Sequence, residues 1–235
     1  MNLKLIIALD ISDQSEALAL VHKLDPKRCA LKVGSEMFTL FGPDFVRQLV
    51  QLGFKIFLDL KFHDIPNTVA QACRACAELG VWMINVHATG GLAMMQAAKG
   101  ALEPYGEKRP LLIAVTVLTS MVAQDLPAIG LNSSVEQQVG CLAKLAYETG
   151  LDGVVCSAFE VPMIKALCSQ SFLTVTPGIR LPGDKADDQS RIMSPSHALE
   201  LGSDFLVIGR SITKAQQPAQ VVDRLLLELK QAALN

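Results

Sequence analysis

The sequence lacks the long hydrophobic runs and the excess of one charge that would point to a membrane or to nucleic acid. No apolar run approaches the roughly 18 residues that a membrane-spanning helix needs. Its 21 Lys and Arg residues nearly balance 23 Asp and Glu residues, so we expect no nucleic-acid partner. Residues 1–4 lead directly into a strand-like segment without a signal peptide. The sequence therefore predicts a cytoplasmic protein.

The usual signatures of metals and cofactors are scarce too. The six cysteines lie mostly in apolar patterns, which are typical of reduced thiols in a protein core. Cys73 and Cys76 form a single C-x-x-C without a second pair, so we expect packing there, with metal or redox use as the alternative. No Ser-His-Asp or metal-ligand spacing includes His87, for which we expect a structural, hydrogen-bonded role. Walker and Rossmann fingerprints are also missing.

What the sequence does contain is a regular alternation of short apolar runs and helix-like segments over all 235 residues. Eight such strand-helix units predict a single (β/α)8 TIM barrel, of the α/β class, as one domain over residues 1–235. A doubly wound open sheet is the alternative. The predicted strands are residues 4–9, 30–33, 55–60, 82–86, 111–117, 153–156, 173–176 and 205–208.

The third predicted strand carries opposite charges at its end. Side chains alternate along a strand, so Asp59 and Lys61 should point to the same side, and Asp64 follows beyond the strand. Pro66 then begins a helix. Charges at the end of a buried strand are costly unless they pair or perform chemistry. A purely structural salt bridge is the alternative for this pair.

Two further charges should join that pair, since barrel active sites lie at the carboxyl ends of the strands. Asp10 ends the first strand and Lys32 lies in the second. The four residues predict an alternating network in which carboxylates favour protonated lysines. This argues against Lys61 as a Schiff-base nucleophile. It favours Lys61 as a proton donor to a carbanion, or as a fixed positive charge.

Polar residues after the later strands predict a phosphate site. Glycine amides and arginines follow strands seven and eight, where barrels commonly bind phosphate. The segment 177–193 is long and polar, which favours a lid over the site. A solvated glycine turn and a surface insertion are the alternatives. The candidate ligand-facing residues of this region are Arg180, Gln189, Gly209 and Arg210, and Thr119 and Ser120 follow strand five.

Residues 59–68, Asp-Leu-Lys-Phe-His-Asp-Ile-Pro-Asn-Thr, carry a family pattern. D-x-K-x-x-D-I-P-x-T resembles the orotidine 5′-phosphate decarboxylase family, and most closely its bacterial branch. D-x-K-x-x-D alone is shared with related phosphate-binding barrels, whereas the Ile-Pro-Asn-Thr continuation is more specific. The resemblance spans the chain, since further family segments occur in order at residues 8–10, 31–34, 115–120, 176–180 and 208–210.

The resemblance implies an activity without metal or organic cofactor. Orotidine 5′-monophosphate would lose its C6 carboxylate as carbon dioxide and give uridine 5′-monophosphate, the last step of de novo pyrimidine nucleotide synthesis. By this analogy Lys61 protonates C6 and Asp59 lies beside the departing carboxylate. Lys32 completes the charge network and, with Asp10, holds the ribose hydroxyls.

The resemblance also implies a homodimer with shared active sites. Asp64 and Thr68 would reach the ribose of the neighbouring subunit's ligand. Thr119 and Ser120 would contact the pyrimidine edge. The phosphate would be surrounded by Arg180, Gln189, Gly209 and Arg210.

Two alternatives remain open. A metal-dependent sugar-phosphate decarboxylase or aldolase would use the Asp-Lys-Asp cluster to hold magnesium near an enediolate, but the continuation at residues 65–68 argues against it. A non-catalytic nucleotide-binding barrel would be favoured by loss of one of the four charged residues. All four are present.

Overall fold

The computed structural model describes residues 3–181 and 193–232, and its centre is a closed barrel of parallel strands. Consecutive strands pair in chain order, and Leu5 of the first strand pairs with Leu206 of the last. This closure confirms the predicted barrel and excludes the open sheet. The strands are β1 (Leu5–Ala8), β2 (Ala30–Gly34), β3 (Ile56–Phe62), β4 (Met83–His87), β5 (Leu111–Val115), β6 (Gly153–Val155), β7 (Leu173–Thr176) and β8 (Phe205–Ile208).

Helices connect the strands and surround the barrel. Asp13 caps the first of them by accepting a hydrogen bond from the Glu16 backbone N–H. None of the described helices is both long and apolar enough to cross a membrane. They are α1 (Gln14–Val21), α2 (Ser35–Gln51), α3 (Pro66–Glu78), α4 (Gly91–Leu102), α5 (Asp125–Ala128), α6 (Val135–Thr149), α7 (Val161–Leu167), α8 (Pro195–Glu200), α9 (Arg210–Thr213) and α10 (Pro218–Ala232).

The hydrophobic core has two parts, because each strand buries both of its faces. One part lies between the strands and the helices around them. The other fills the barrel interior below the site, with one or two residues from most strands. The buried residues of this inner cluster are Ile6, Ala8, Ala30, Phe57, Met83, Ile113, Val175 and Val207.

Several boundaries differ from those that the sequence predicts. Helix α2 is interrupted at Gly42, whose backbone is not helical, with a φ of 66°, and the helix resumes at Pro43 after a first segment that begins at Ser35. Strand β5 ends at Val115, two residues before the predicted end. Strand β3 extends to Phe62, beyond the predicted end at Leu60. This last difference matters for the site.

The amino ends of the strands are fastened by two aspartates. Asp152, just before β6, accepts a hydrogen bond from the Leu112 backbone N–H at 2.7 Å and pairs with Arg109 at 2.6 Å. Asp204, just before β8, likewise accepts from the Thr174 backbone N–H at 2.8 Å. These contacts hold the end of the barrel opposite the site.

Candidate active site

Four charged side chains form a continuous chain at the carboxyl ends of β1, β2 and β3. Lys32 Nζ lies 3.2 Å from Asp10 Oδ1 and 3.4 Å from Asp59 Oδ2. Lys61 Nζ lies 2.7 Å from Asp59 Oδ1. The predicted alternating network is confirmed, and we call Asp10, Lys32, Asp59 and Lys61 the charge chain.

The middle of the charge chain is buried, and pairing decides its ionisation. Burial would raise the pKa of Asp59, but the charges of Lys32 and Lys61, with hydrogen bonds from Lys61 and Asn85, hold that pKa below its usual range. Burial would lower the pKa of Lys32, but Asp59 and Asp10 hold it above its usual range. Both groups are therefore charged at neutral pH.

Lys61 sits on an irregular part of β3, not on the regular alternating strand that the sequence predicts. Leu58 pairs with Ile84 and Phe62 with Val86, so three residues of β3 stand opposite a single residue of β4. Lys61 takes a φ of 52°, and Asp10 takes a φ of 40°; they are the two non-glycine residues with positive φ in the described chain. Left-handed backbone is unfavourable for lysine, is better tolerated by aspartate, and clusters at functional sites.

The residue opposite this bulge is Asn85, which the sequence interpretation missed. Its Nδ2 donates to Asp59 Oδ1 at 2.7 Å, and its Oδ1 accepts from the Lys61 backbone N–H at 2.8 Å. An asparagine inside the apolar run Met-Ile-Asn-Val of residues 83–86 was the available signal. A polar side chain in a buried strand needs hydrogen-bond partners.

An open cavity of about 940 Å³ lies above the charge chain. It brings the charge chain together with predicted contacts from the loops after β5, β7 and β8. The predicted residues that line it are Asp10, Lys32, Asp59, Lys61, Thr119, Ser120, Arg180, Gly209 and Arg210. The sequence interpretation missed other lining residues, including Ser12, Asp13, Thr213 and Lys214.

Two predicted site residues that the structure describes, Asp64 and Thr68, are not part of that cavity wall. Asp64 is exposed, and its Oδ1 accepts a hydrogen bond from the Ile65 backbone N–H at 2.6 Å. Thr68, in the first turn of α3, is exposed as well. Neither Asp64 nor Thr68 lines the cavity. Gln189, and most of the predicted lid at 177–193, lie outside the described residues.

The cysteines of the C-x-x-C are buried, and His87 lies beside a second histidine. Cys73 and Cys76 are buried, which confirms packing, and desolvation raises the pKa of each thiol to about 12. The His87 ring lies 5.6 Å from that of His63, and desolvation is the main cause of its lowered pKa. Among residues 3–181 and 193–232, no group of three or more His, Cys, Asp or Glu side chains is arranged to hold a metal.

The charge chain gives a prediction for stability against pH. Because the pKa of Asp59 is lower in the folded state, its ionisation stabilises the fold above its unfolded pKa, and this contribution disappears as pH falls through the folded value. The asparagine of an Asp59→Asn variant cannot ionise. We therefore expect the stability of wild type relative to Asp59→Asn to increase as pH rises from about 2 to about 6 and then to level off. Urea unfolding at each pH measures it, and a constant difference would contradict it.

Comparisons with known proteins place this geometry in a family. The model of the orotidine 5′-phosphate decarboxylase / HUMPS family matches residues 3–225. A Legionella pneumophila (strain Paris) protein named orotidine 5′-phosphate decarboxylase is 62% identical over 229 residues, which cover 97% of this chain and 100% of the relative. A protein of the same name from Aliivibrio fischeri (strain MJ11) is 58% identical over 226 residues, covering 96% of this chain and 97% of the relative.

Solved structures of similar sequence have the same fold as this chain. The crystal structure of orotidine 5′-phosphate decarboxylase from Lactobacillus acidophilus is 39% identical, with a TM-score of 0.87 over 97% of this chain and 99% of the other. An uncharacterized conserved protein from Geobacillus kaustophilus is 41% identical, with a TM-score of 0.86 over 96% of this chain and 99% of the other. With a family match over nearly its whole length, the chain belongs to the orotidine 5′-phosphate decarboxylase / HUMPS family.

Proposed function

We propose that the protein decarboxylates orotidine 5′-monophosphate to uridine 5′-monophosphate and carbon dioxide, the last step of de novo UMP synthesis. The observation that carries this proposal is the charge chain at the base of the cavity, in which Lys61 lies beside the buried carboxylate of Asp59. Relatives at about 60% identity bear the name of this activity. The cytoplasm is the expected compartment.

Lys61 is the proposed proton donor. The bond from C6 to the carboxylate breaks, carbon dioxide leaves, and the electron pair remains on C6. The ring has no added group to delocalise that pair, so a fixed positive charge beside C6 must stabilise it. The Lys61 ammonium gives its proton to C6 and later regains one from solvent. Asp59, 2.7 Å away, holds the ammonium in place.

The remaining charges position the substrate. Asp59 near the substrate carboxylate adds repulsion that is relieved when carbon dioxide leaves. Lys32 lies between two carboxylates, which fix its ammonium, and with Asp10 it would hold the ribose hydroxyls. Thr119 and Ser120 line the cavity after β5 and would contact the pyrimidine edge.

The far wall of the cavity suits a phosphate dianion. Arg180, Gly209 and Arg210 line it together, after β7 and β8. An arginine offers a phosphate two parallel hydrogen bonds. Binding energy from this remote group can contribute to orienting the reacting ring.

Arg210→Ala tests the phosphate contact. A desolvated, charge-assisted pair is worth about 1.5–3 kcal/mol, so UMP should bind about 10- to 100-fold more weakly. Uridine, which lacks the phosphate, should bind as it does to wild type. Calorimetric titration of both ligands measures this, with Arg224→Ala on the exposed side of α10 as the control. An unchanged preference for UMP over uridine would show that Arg210 does not bind the phosphate.

We also propose a homodimer whose two active sites are shared. Asp64 and Thr68 are exposed and absent from the cavity of their own subunit. They follow β3 directly, so a second copy docked near the cavity mouth could receive both. Two-fold dimers are the commonest assemblies. In this arrangement Asp64 and Thr68 contact the ribose of the partner's substrate.

The proposed activity is tested by the fall in orotidine-ring absorbance when the protein is added to orotidine 5′-monophosphate. We expect UMP and carbon dioxide in equal amounts, with the same rate in the presence of a chelator. Loss of activity with the chelator would favour the metal-dependent sugar-phosphate alternative. No decarboxylation in either condition would refute the proposal and favour a binding protein.

A further inference from the structure

The bulge in β3 is bridged by one side chain from the neighbouring strand. Asp59, Leu60 and Lys61 lie between the paired positions Leu58–Ile84 and Phe62–Val86, whereas β4 contributes Asn85 alone to that interval. A regular ladder cannot satisfy the backbone groups of three residues with those of one. The Asn85 side chain supplies the missing partner by accepting from the Lys61 backbone N–H at 2.8 Å.

The same side chain also fixes the carboxylate that holds the Lys61 ammonium. Asn85 Nδ2 lies 2.7 Å from Asp59 Oδ1, the oxygen that also accepts from Lys61 Nζ at 2.7 Å. Both ends of Lys61 therefore depend on Asn85: its backbone directly, and its ammonium through Asp59. Asn85 is fully buried and does not line the cavity.

We propose that Asn85 is a positioning residue for the decarboxylation, which locks the left-handed backbone of Lys61 and the orientation of Asp59. This inference rests on the proposed function. A left-handed lysine is unfavourable and persists only where the surroundings impose it. The amide of asparagine can make both hydrogen bonds, to Asp59 and from the Lys61 backbone, because its nitrogen donates and its oxygen accepts. Without it, the Lys61 ammonium would sample positions away from C6.

The expected effect is on turnover and not on substrate binding. Asn85→Ala removes a hydrogen bond to a charged group, so kcat should fall about 10- to 100-fold, with KM changed less than about threefold. The matched control is Thr174→Val. It removes a buried hydroxyl that donates to Asp204 at 3.0 Å, at the opposite end of the barrel. This control should leave kcat unchanged.

The Asn85→Asp variant tests the inference by the pH dependence of kcat, which would not change if Asn85 had a purely structural role. The carboxyl group that this variant introduces can, while protonated, still donate to Asp59 and accept from Lys61. Once ionised, it would place two carboxylates in contact. The ratio of the variant's kcat to that of wild type should therefore rise at least about fivefold as pH falls from about 8.5 to about 5.5.

The groups around that position define the control for pH. Asp59 and Lys61 face it from β3, Lys32 reaches Asp59 from β2, and β5 places the apolar Ile113 opposite it. The pKa of His87, on the same strand, is lowered by burial and by the charges of His63 and Lys61. The charge of Asp59 opposes this shift. The wild-type profile, measured in parallel, shows how much of the pH dependence exists without the new carboxylate. Because aspartate keeps the size of asparagine, this variant remains informative where Asn85→Ala does not fold.

Amide hydrogen exchange separates this inference from the proposed function. Exchange at the Lys61 amide should become at least about tenfold faster in Asn85→Ala and remain slow in Thr174→Val. An unchanged kcat in Asn85→Ala, a flat pH ratio for Asn85→Asp, or unchanged exchange at Lys61 would each overturn the inference. A wild-type protein without turnover would instead overturn the proposed function, while exchange would still show whether Asn85 holds the Lys61 backbone.

Discussion

Replacing Lys61 with alanine should abolish turnover and leave the barrel folded. A single proton donor commonly contributes about 10²–10⁴ in rate, and the variant also loses the positive charge that stabilises the carbanion. We therefore expect kcat to fall by more than about 10⁴-fold. The fold should survive, because Asp59 keeps Lys32 and Asn85 as partners.

Steady-state kinetics and thermal unfolding, measured on the same samples, test this expectation. Lys144→Ala is the matched control, since Lys144 lies on the exposed side of α6 and pairs only loosely with Glu148 at 3.7 Å. It should retain full activity. A Lys61→Ala protein that keeps more than about a tenth of wild-type turnover would refute Lys61 as the proton donor.

Mixing two inactive variants should restore activity if Asp64 acts across a dimer. Lys61→Ala and Asp64→Asn are each expected to be inactive alone. In a mixed dimer, one site then has Lys61 from one subunit and Asp64 from the other, while the second site has neither. Random pairing of equal amounts makes about half of the dimers mixed, so about a quarter of all sites should be active.

The control for this experiment is a pair of variants whose substituted residues both belong to the same subunit within each site. Lys61 and Asp59 contact each other within one chain, so mixing Lys61→Ala with Asp59→Asn should restore nothing. Subunit exchange is monitored independently with fluorescently labelled chains. If exchange is complete and the first mixture stays inactive, Asp64 acts in its own subunit and the shared site is wrong.

The barrel could be predicted from the sequence because its cause is local and repeated. Each apolar run is bounded by helix starts, such as the cap at Asp13, that depend on a few neighbouring residues. The sequence predicts a helix over residues 43–52 and misses the helical residues that precede Gly42. Gly42 does interrupt the helix, and the second segment buries Phe45 and Val46 in the core.

The part of the site that consists of charged residues could be predicted from the sequence. Asp10, Lys32, Asp59 and Lys61 are costly in a buried place, so their occurrence at strand ends indicated that they meet. The bulge in β3 was not predictable, because an irregular register depends on the partner strand and not on the strand itself. Asn85, a polar residue in an apolar run, was a visible signal, but its partners could not be named without that register. The roles of these residues in catalysis stay predictions.

Closure of the barrel has a consequence for synthesis on the ribosome. Residues 5–7 of β1 pair with residues 206–208 of β8. One edge of β1, the first strand synthesised, therefore stays unpaired until β8 has been synthesised. Until then the nascent sheet presents two unpaired edges, which are templates for association with other chains. Contacts of such long sequence separation also form slowly. Chains interrupted before β8 should therefore depend on chaperones far more than the finished protein does.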